Sequence, residues 1–411
     1  MGGMASSTAG QSDPGPRARM IERARAMVPA LRERAYQAEQ DRRMPDVTHN
    51  EFVEAGFYRL FQPARYGGFE MDLALMVDMC AELGRGCASS TWLFSNIASQ
   101  SWIAGMHYPE TQEELWGDNP EALIASSYPG PGAKATAVDG GVVVDGTWSF
   151  ASGIDQADWN SLQIMLPRDG APPEARFALI LKSEFEVVDD WFVNGLAATG
   201  SRSLTVREVF IPERRTLPAT EMHGGRSPGS EYNPNPLYRL PLWAIGVKLF
   251  SGIAIGIARG AIEVMEDELR TRRSVGAVAM NELQSVHLRL AEASAEVDAA
   301  WALMLADCAE ATALIEAEAD ISLDSRVRWR RNDAFAGKLC MAAVERLYPL
   351  AGGRGLGLDS AFQRSWRDVH AATAQITMAW DICATNYGKV RMGVPFFDPR
   401  VWPFMPTDAP V

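Results

Sequence analysis

The residues best suited to chemistry lie in one run, 146–153, where a strand-like segment ends in a turn of small residues. Trp148 and Phe150 alternate at the strand period, so we expect both rings on the same side. Ser152 and Gly153 then bring a hydroxyl and the backbone close to whatever lies against that side. The pattern predicts a flat, dry wall that carries one hydroxyl, which suits a planar ring.

Each part of this run also has an ordinary structural explanation. Trp148 and Phe150 could be core aromatics of a β domain. Serine and glycine are common in turns, so Ser152 could simply end a strand. The later Thr-Gly-Ser run at 199–201 could likewise connect two strands. A functional interpretation therefore depends on other motifs that occur in the same chain.

Composition excludes several classes of partner. The 411-residue chain has a formal charge of -13, which argues against nucleic acid or an anionic membrane, because both select basic surfaces. Its five cysteines and five histidines show no metal-ligand spacing, so we expect no metal site. The scattered cysteines also favour a reduced, cytoplasmic setting. No apolar run reaches the ~18 residues of a membrane span, and no membrane association is expected.

The chain divides by composition into four segments. Residues 1–16 are rich in Ser, Gly and Pro and are expected to be disordered. Helical patterns occupy 17–122, and short β-rich runs at 123–220 predict a compact antiparallel domain. Residues 221–411 begin with a polar loop, and four long helices are then expected, at about 242–273, 279–318, 325–348 and 359–391.

Three motifs occur in a fixed order along these segments. They lie at 51–68 within the first helices, at 195–201 before a strand, and at 352–368, where a glycine turn precedes an Arg-Asp helix start. In this order they resemble the acyl-CoA dehydrogenase superfamily over nearly all of 17–391. The resemblance implies an α+β, mostly α fold with an N-terminal helical domain, a central antiparallel β domain and a C-terminal four-helix bundle.

One carboxylate separates two chemistries within this superfamily. By resemblance, a dehydrogenase needs a buried Glu that removes the proton α to a thioester carbonyl. Counted from Arg367 and Asp368, the matching position is Ile376, and residues 241–262, where some members carry the base, contain no acid. Asp381 is the only acid on the last helix within reach. Acyl-CoA dehydrogenase is therefore retained only as an alternative.

The run 148–153, with the runs 88–92 and 125–130, resembles instead the oxygenase components of two-component flavin-dependent monooxygenases, the group that includes hydroxyphenylacetate hydroxylase. This resemblance implies O2 and reduced FMN, with FAD as the alternative, supplied by a separate NAD(P)H:flavin reductase. A C4a-hydroperoxyflavin would then oxygenate an aromatic or other electron-rich small molecule in a site that excludes water. A non-catalytic scaffold is a further alternative, disfavoured because the small residues that admit flavin are present.

The same resemblance implies roles for single residues. Ser152 would hydrogen-bond flavin N5, Trp92 would lie beside the isoalloxazine, and Ser127 would lie near flavin or substrate. Further flavin contacts are expected from Trp148, Gly153, Thr199, Ser201, Arg272, Gly352 and Gly353. The hydroxyls in this set would serve the polar edge or phosphate, and the last three residues would come from a neighbouring subunit of a homotetramer. A helix C-cap explains the two glycines equally well, and a solvated arginine at a helix end explains Arg272 almost as well.

Two glutamines mark a departure from the phenol hydroxylases of this group, which commonly place histidines against the substrate. The matching positions are Gln100 and Gln375. Glutamine forms hydrogen bonds but cannot titrate, so we expect a substrate that needs no deprotonation, such as an indole, an aromatic amine or a sulfide. His370 is a substitute base, although an ideal helix places it ~140° from Gln375, and a surface histidine is the alternative. The expected catalytic set is Ser152, Ser127, Gln375 and Gln100.

Overall fold

The structure, a computed structural model, describes residues 15–274 and 276–395. Its N-terminal part is helical, as predicted. The first helix begins at Pro16, where the missing N–H of proline costs no hydrogen bond. Most of the segment 1–16, predicted to be disordered, lies outside the described residues. The N-terminal helices are α1 (Pro16–Asp41), α2 (Asp46–Glu54), α3 (Leu73–Leu83), α4 (Ala88–Gly105) and α5 (Pro109–Trp116).

The middle of the chain forms one sheet of eight strands, β1 (Ile124–Pro129), β2 (Lys134–Val138), β3 (Gly141–Ser152), β4 (Trp159–Arg168), β5 (Ala171–Leu181), β6 (Glu186–Val188), β7 (Arg202–Pro212) and β8 (Thr216–Pro218). The order is β6-β7-β3-β1-β4-β5-β8, and β2 pairs with β3. The prediction of an antiparallel domain is wrong at one place, because β1 and β4 run parallel. The sheet is therefore mixed, and the expected boundaries at 123 and 220 fall between its ends and the flanking helices.

A β-bulge in β3 changes which residues share a face. Trp148 pairs with Leu204, whereas Ala151, three residues later, pairs with Arg202, only two residues earlier. The extra residue leaves Phe150 in the left-handed conformation, with φ 63°, and 60% exposed. Trp148 and Phe150 therefore lie on opposite sides of the strand. The expectation that their rings share a side is wrong, because the two-residue period fails at a bulge.

Up to residue 395, where the described part of the chain ends, five α-helices, not four, follow the sheet: α6 (Lys248–Thr271), α7 (Gln284–Glu316), α8 (Leu323–Ala351), α9 (Ala361–Thr373) and α10 (Trp380–Arg391). The expected last helix, 359–391, is interrupted by a 3-10 turn at Ile376–Met378. The interruption occurs because the Gln375 side-chain oxygen accepts the backbone N–H of Thr377 at 2.6 Å and starts a new turn. The end of the predicted C-terminal domain, 396–411, lies outside the described residues.

Helix α6 is central in the bundle and directly follows a turn of π-helix, Leu242–Gly246. An 18-residue window within Leu242–Thr271 is apolar enough to cross a membrane, which the sequence analysis did not expect, but 83% of that window is buried inside the fold. Helix α6 also approaches α3 closely, since a Cβ on Gly256 would lie 2.8 Å from the Cα of Gly84. The apolar composition thus fits a core helix.

Lys248, at the start of α6, joins three helices through a buried ion cluster. Its ammonium lies 2.8 Å from Asp307 on α7 and 3.3 Å from Asp333 on α8, and all three side chains are at most 3% exposed. Ser251 donates to Asp333 at 2.9 Å, and Asn332 donates to Asp307 at 2.9 Å. Burial lowers the pKa of Lys248, but the two carboxylates raise it further, so the lysine remains charged.

Replacing Lys248 by methionine would remove the ammonium that lies within 3.3 Å of two buried carboxylates, and among the described residues only Arg328, 3.7 Å from Asp307, would remain beside them as an ion-pair partner. We expect Lys248→Met to lower the free energy of unfolding by about 3–5 kcal/mol, measured by urea denaturation at neutral pH. Lys338→Met on α8 is the matched control, because Lys338 is exposed and lies 4.6 Å from the Trp380 ring; its loss should stay below about 1 kcal/mol. Equal losses in the two variants would contradict a structural role for the cluster.

Candidate active site

The Ser152 hydroxyl belongs to a chain of four hydrogen bonds, which we call the hydroxyl chain. Trp92 Nε1 donates to Ser152 Oγ at 3.0 Å. The hydroxyls of Ser152 and Ser201 are 2.7 Å apart, as are those of Ser201 and Thr199. Thr199 Oγ1 then donates to the Leu196 carbonyl at 2.8 Å. The structure thus brings together four residues predicted around the flavin, from α4, the end of β3 and the loop before β7.

The directions of these hydrogen bonds depend on one another. Because Thr199 gives its only hydroxyl proton to the Leu196 carbonyl, it accepts from Ser201, and Ser201 accepts from Ser152. Ser152 can donate elsewhere only when Ser201 turns its own proton toward Ser152 Oγ. The hydroxyls of Thr199 and Ser201, expected at the flavin's polar edge or phosphate, are therefore both engaged in orienting Ser152.

Gly153 allows α4 to approach the end of β3. Its φ is +82°, and a Cβ at this position would lie 3.0 Å from Ile97 and 3.6 Å from Leu93 on α4. A side chain here would be strained by the backbone and would push the helix away. The glycine thus brings Trp92 within hydrogen-bonding distance of Ser152, and its contact with flavin remains a prediction.

Trp148 is a core residue of the sheet and not a wall of the site. It is 1% exposed, packs in one cluster with Leu162, and donates its indole N–H to the Gln163 carbonyl at 2.8 Å. The bulge at Phe150 places Trp148 on the face opposite Ser152. The structure therefore agrees with the core-aromatic alternative, and the predicted contact of Trp148 with flavin gains no support from it.

Ser127 also points away from the Ser152 face. It pairs with the core residue Leu162 in the parallel register of β1 and β4, and its hydroxyl donates to the Asn160 side chain at 2.7 Å. The residue opposite Ser152 is Ser126, which is half-buried on the same face. The serine that faces the site is thus Ser126, one residue before the predicted Ser127, because strand register decides which of two adjacent serines lies on a given face.

Two pairs of aromatic rings lie beside this face. Trp92 and Phe250 have ring centroids 4.9 Å apart, and Phe177 and Trp243 have centroids 5.8 Å apart. Phe250 comes from α6 and Trp243 from the π-helical turn before it. Phe250, Phe177 and Trp243 were not predicted from the sequence, because no local pattern shows that the start of α6 returns to the sheet. Aromatic walls beside an oriented hydroxyl fit a planar, polar-edged ring such as flavin.

Three residues predicted to serve a neighbouring subunit's flavin lie near the end of α8. Arg272 Nη1 donates to the Leu350 carbonyl at 2.9 Å, and a Cβ on Gly352 would lie 3.0 Å from Arg272 Nη2. Gly352 has φ +59° and caps α8, as the alternative interpretation expected, while Gly353 borders open space. Among the described residues, no hydrogen bond joins this group to the hydroxyl chain, and its intersubunit role remains a prediction.

The predicted substrate residues have different surroundings. Gln375 Oε1 accepts both the N–H and the hydroxyl of Thr377, so it serves the turn between α9 and α10. His370 is half-exposed, and its Nε2 lies 3.0 Å from Glu345, as expected of a helix-surface histidine. Gln100 is 6% exposed, and its Oε1 has no hydrogen-bond partner. Of the three, Gln100 is therefore the residue with a buried polar atom free to bind a ligand.

Asp368 ties α9 to the loop that carries the hydroxyl chain. Its Oδ1 accepts the backbone N–H of Leu196 at 2.7 Å. Burial raises the pKa of Asp368 to about 6, and this effect outweighs the opposing influence of Arg367 and Arg364 nearby. The chain of contacts thus runs from α4 through the sheet to α9. Within 15–274 and 276–395, no group of three His, Cys, Asp or Glu side chains could hold a metal ion.

Two family models match the chain. Residues 18–113 match "Acyl-CoA dehydrogenase, N-terminal domain", and residues 248–380 match "Acyl-CoA dehydrogenase, C-terminal domain". Together they cover more than half of the sequence and agree with the observed order of helices, sheet and bundle. The chain belongs to the acyl-CoA dehydrogenase superfamily, and the predicted fold is confirmed.

Curated relatives define the class more narrowly. The chain is 34% identical over 390 residues to the FADH(2)-dependent resorcinol hydroxylase, oxygenase component, of Rhizobium sp. (strain MTP-10005), covering 92% of this chain and 95% of that protein. It is 32% identical to the flavin-dependent monooxygenase, oxygenase subunit HsaA, of Rhodococcus jostii (strain RHA1), covering 93% and 100%. The crystal structure of 3-HSA hydroxylase from Rhodococcus sp. RHA1 matches with a TM-score of 0.88 and 32% identity, covering 93% and 99%. Within its superfamily the chain is a member of the flavin-dependent monooxygenases.

The raised pKa of Asp368 makes its contribution to stability depend on pH. Between the unfolded value of 3.8 and the folded value of about 6, the folded chain holds a proton that the unfolded chain releases, so the contribution falls as pH rises. Asp368→Asn keeps an oxygen for Leu196 but cannot ionise. We expect the unfolding free energy of the wild type, relative to this variant, to fall by about 2.5 kcal/mol between pH 4 and 7 in urea titrations. A difference that does not change with pH would contradict the assignment.

Proposed function

We propose that this protein is the oxygenase component of a two-component flavin-dependent monooxygenase, which uses reduced flavin and O2 to insert one oxygen atom into an aromatic or other electron-rich small molecule. The observation that carries the proposal is the hydroxyl chain, which holds Ser152 on the face bordered by Trp92 and Phe250. An oriented hydroxyl in a largely buried, aromatic setting supports the control of a reactive flavin. It does not supply a base.

The described residues fit a bound isoalloxazine ring. Flavin, when bound, supplies the electrons that activate O2. Trp92 and Phe250 offer an apolar surface beside the ring, and Ser152 offers a hydroxyl to a ring nitrogen, with Trp92 and Ser201 fixing the position of that hydroxyl. Exclusion of water by these side chains would limit wasteful release of hydrogen peroxide. Ser152 is thus the catalytic residue, and Ser201 and Thr199 are positioning residues.

The form of the flavin and the partners are part of the proposal. These side chains address the ring system, which FMN and FAD share, and the Rhizobium relative is named FADH(2)-dependent. We therefore extend the sequence-based preference for FMN to both reduced flavins, supplied by a separate NAD(P)H:flavin reductase.

A homotetramer is proposed by resemblance, and exposed apolar side chains on the bundle, such as Phe335 and Ile376, support a subunit contact. A cytoplasmic location is supported by five buried free cysteines.

The dehydrogenase alternative lacks its base in the structure as well. Ile376, at the position of the expected Glu, is 56% exposed, and Asp381 lies exposed in the first turn of α10. The buried carboxyl group on α9, Asp368, is engaged with the Leu196 N–H. None of these groups can remove a proton from a substrate on the Ser152 face. We expect no turnover of acyl-CoA thioesters with an artificial electron acceptor.

The proposal is tested by mixing the protein anaerobically with chemically reduced FMN or FAD and then adding oxygen. Flavin reoxidation is followed by absorbance, and released hydrogen peroxide is assayed in parallel. The wild type should release peroxide more slowly than free flavin does. Ser152→Ala should speed this release about tenfold or more, since a hydrogen bond of about 1.5 kcal/mol would be lost. Reoxidation by the wild type at the rate of free flavin would refute the proposal.

Ser201→Ala tests the hydroxyl chain itself. Because Ser201 acts through Ser152, we expect peroxide release to rise by a smaller factor, about threefold to fivefold, and the effect to vanish when Ser152 is already alanine. Ser203→Ala is the matched control, since its hydroxyl bonds to Ser149 outside the chain, and it should behave as wild type. Additive effects of the Ser152 and Ser201 substitutions would show that the two residues act independently.

A further inference from the structure

A third serine continues the row that begins with Ser152 and Ser126. Ser126 on β1 lies opposite Ser161 on the parallel strand β4, and paired residues project from the same face of a sheet. The three hydroxyls therefore lie on three adjacent strands, β3, β1 and β4, at successive spacings of roughly 5 Å. Ser161 is 1% exposed, and its hydroxyl has no hydrogen-bond partner.

Gln100 on α4 lies over this row. Ile97, Gln100 and Ala104 follow one another at helical spacings of three and four, so they share one side of the helix. A Cβ on Gly153, at the end of β3, would lie 3.0 Å from Ile97, and Ala104 packs in one cluster with Trp159 at the start of β4. Gln100 is between these two contacts and therefore crosses above β1, the strand that separates Ser152 from Ser161. Its side chain is long enough to reach the serine row.

Two buried polar atoms thus lie on one side of the aromatic site without partners. Buried acceptors are rarely left unpaired, and such exceptions indicate a missing water or ligand. Gln100 Oε1 can only accept a hydrogen bond, whereas the Ser161 hydroxyl can donate and accept. Together they complement a group that has both a proton to give and a lone pair, such as an O–H group. An N–H group can donate to Gln100 Oε1 alone, or it can be shared between Gln100 Oε1 and the hydroxyl oxygen of Ser161.

We propose that Ser161 and Gln100 form the polar end of the substrate pocket and select an aromatic substrate that carries an un-ionised O–H or N–H group. This inference rests on the proposed function and adds a specificity residue, Ser161, to it. Neither side chain can titrate, and the acceptor Gln100 Oε1 would repel an anionic oxygen. The pair therefore binds the substituent in its protonated form.

Isothermal titration of the full-length protein, saturated anaerobically with reduced FMN, tests this proposal with matched probe pairs. The pairs are indole with 1-methylindole and resorcinol with 1,3-dimethoxybenzene, in which methylation removes the donor and keeps the ring. For at least one pair, we expect the wild type to bind the parent compound about tenfold or more tightly than its methylated analogue, because the analogue leaves a buried acceptor unpaired. Equal affinities for both members of each pair, or no binding of any probe, would overturn the proposal.

Two variants test whether Gln100 and Ser161 cause the preference for the parent compound over its methylated analogue. Gln100→Met removes the acceptor at nearly constant length, and Ser161→Ala removes the hydroxyl. Each should reduce the preference for the parent compound to about threefold or less, and the double variant should lose little more, because one substituent contacts both side chains. The control Ser203→Ala should keep the full preference. Discrimination that survives in both variants would show that a buried water, not the substrate, satisfies these atoms.

Failure of the proposal for Ser161 and Gln100 gives a different result from failure of the proposed monooxygenase function. If the protein is not a monooxygenase, the wild type will reoxidise flavin rapidly and form no oxygenated product from any probe. If Ser161 and Gln100 do not select the substrate, the binding preference will be unchanged in the variants, whether or not a product forms. Thermal melting of each variant without flavin verifies that it is folded before its affinity is interpreted.

Discussion

The hydrogen bond from the Trp92 indole to the Ser152 hydroxyl is the contact on which the other features of the site depend. It joins a helix of the N-terminal domain to the sheet, and it forms only because Gly153 lets α4 lie against the strand end. The hydroxyl chain continues it to Leu196, whose N–H binds Asp368 on α9. All three parts of the chain are therefore connected through one continuous series of hydrogen bonds.

The site combines two kinds of buried polar group. Those in the hydroxyl chain satisfy one another, which fixes the position of a reactive hydroxyl without a charge. Those at Gln100 and Ser161 are left without partners, which costs stability and favours a ligand that completes them. The charged cluster around Lys248 differs from both, because an ammonium lies against two carboxylates, and it supports the start of α6, from which Phe250 reaches Trp92.

The sequence was sufficient for the fold and for the grouping of Trp92, Ser152, Thr199 and Ser201, because motifs in a fixed order identify a superfamily and its topology. It was insufficient wherever one residue of register decides the outcome. Because of the bulge at Phe150, Trp148 lies on the core face of the sheet, opposite Ser152. The pairing of β1 with β3 places Ser126, and not Ser127, on the face that carries Ser152. Such features depend on contacts between distant segments, which local periodicity does not contain. The break at Gln375 was missed for a related reason, since a capping glutamine resembles any other residue in a helical pattern.

The parallel pairing of β1 with β4 has a consequence for how the protein folds. Those strands are joined by the hairpin of β2 and β3, so their pairing closes a loop of more than thirty residues and is entropically costly until the hairpin exists. Ser126 and Ser161 lie 35 residues apart in the sequence and are neighbours through this pairing alone. The proposed polar end of the substrate pocket therefore exists only in a chain whose sheet is completely paired.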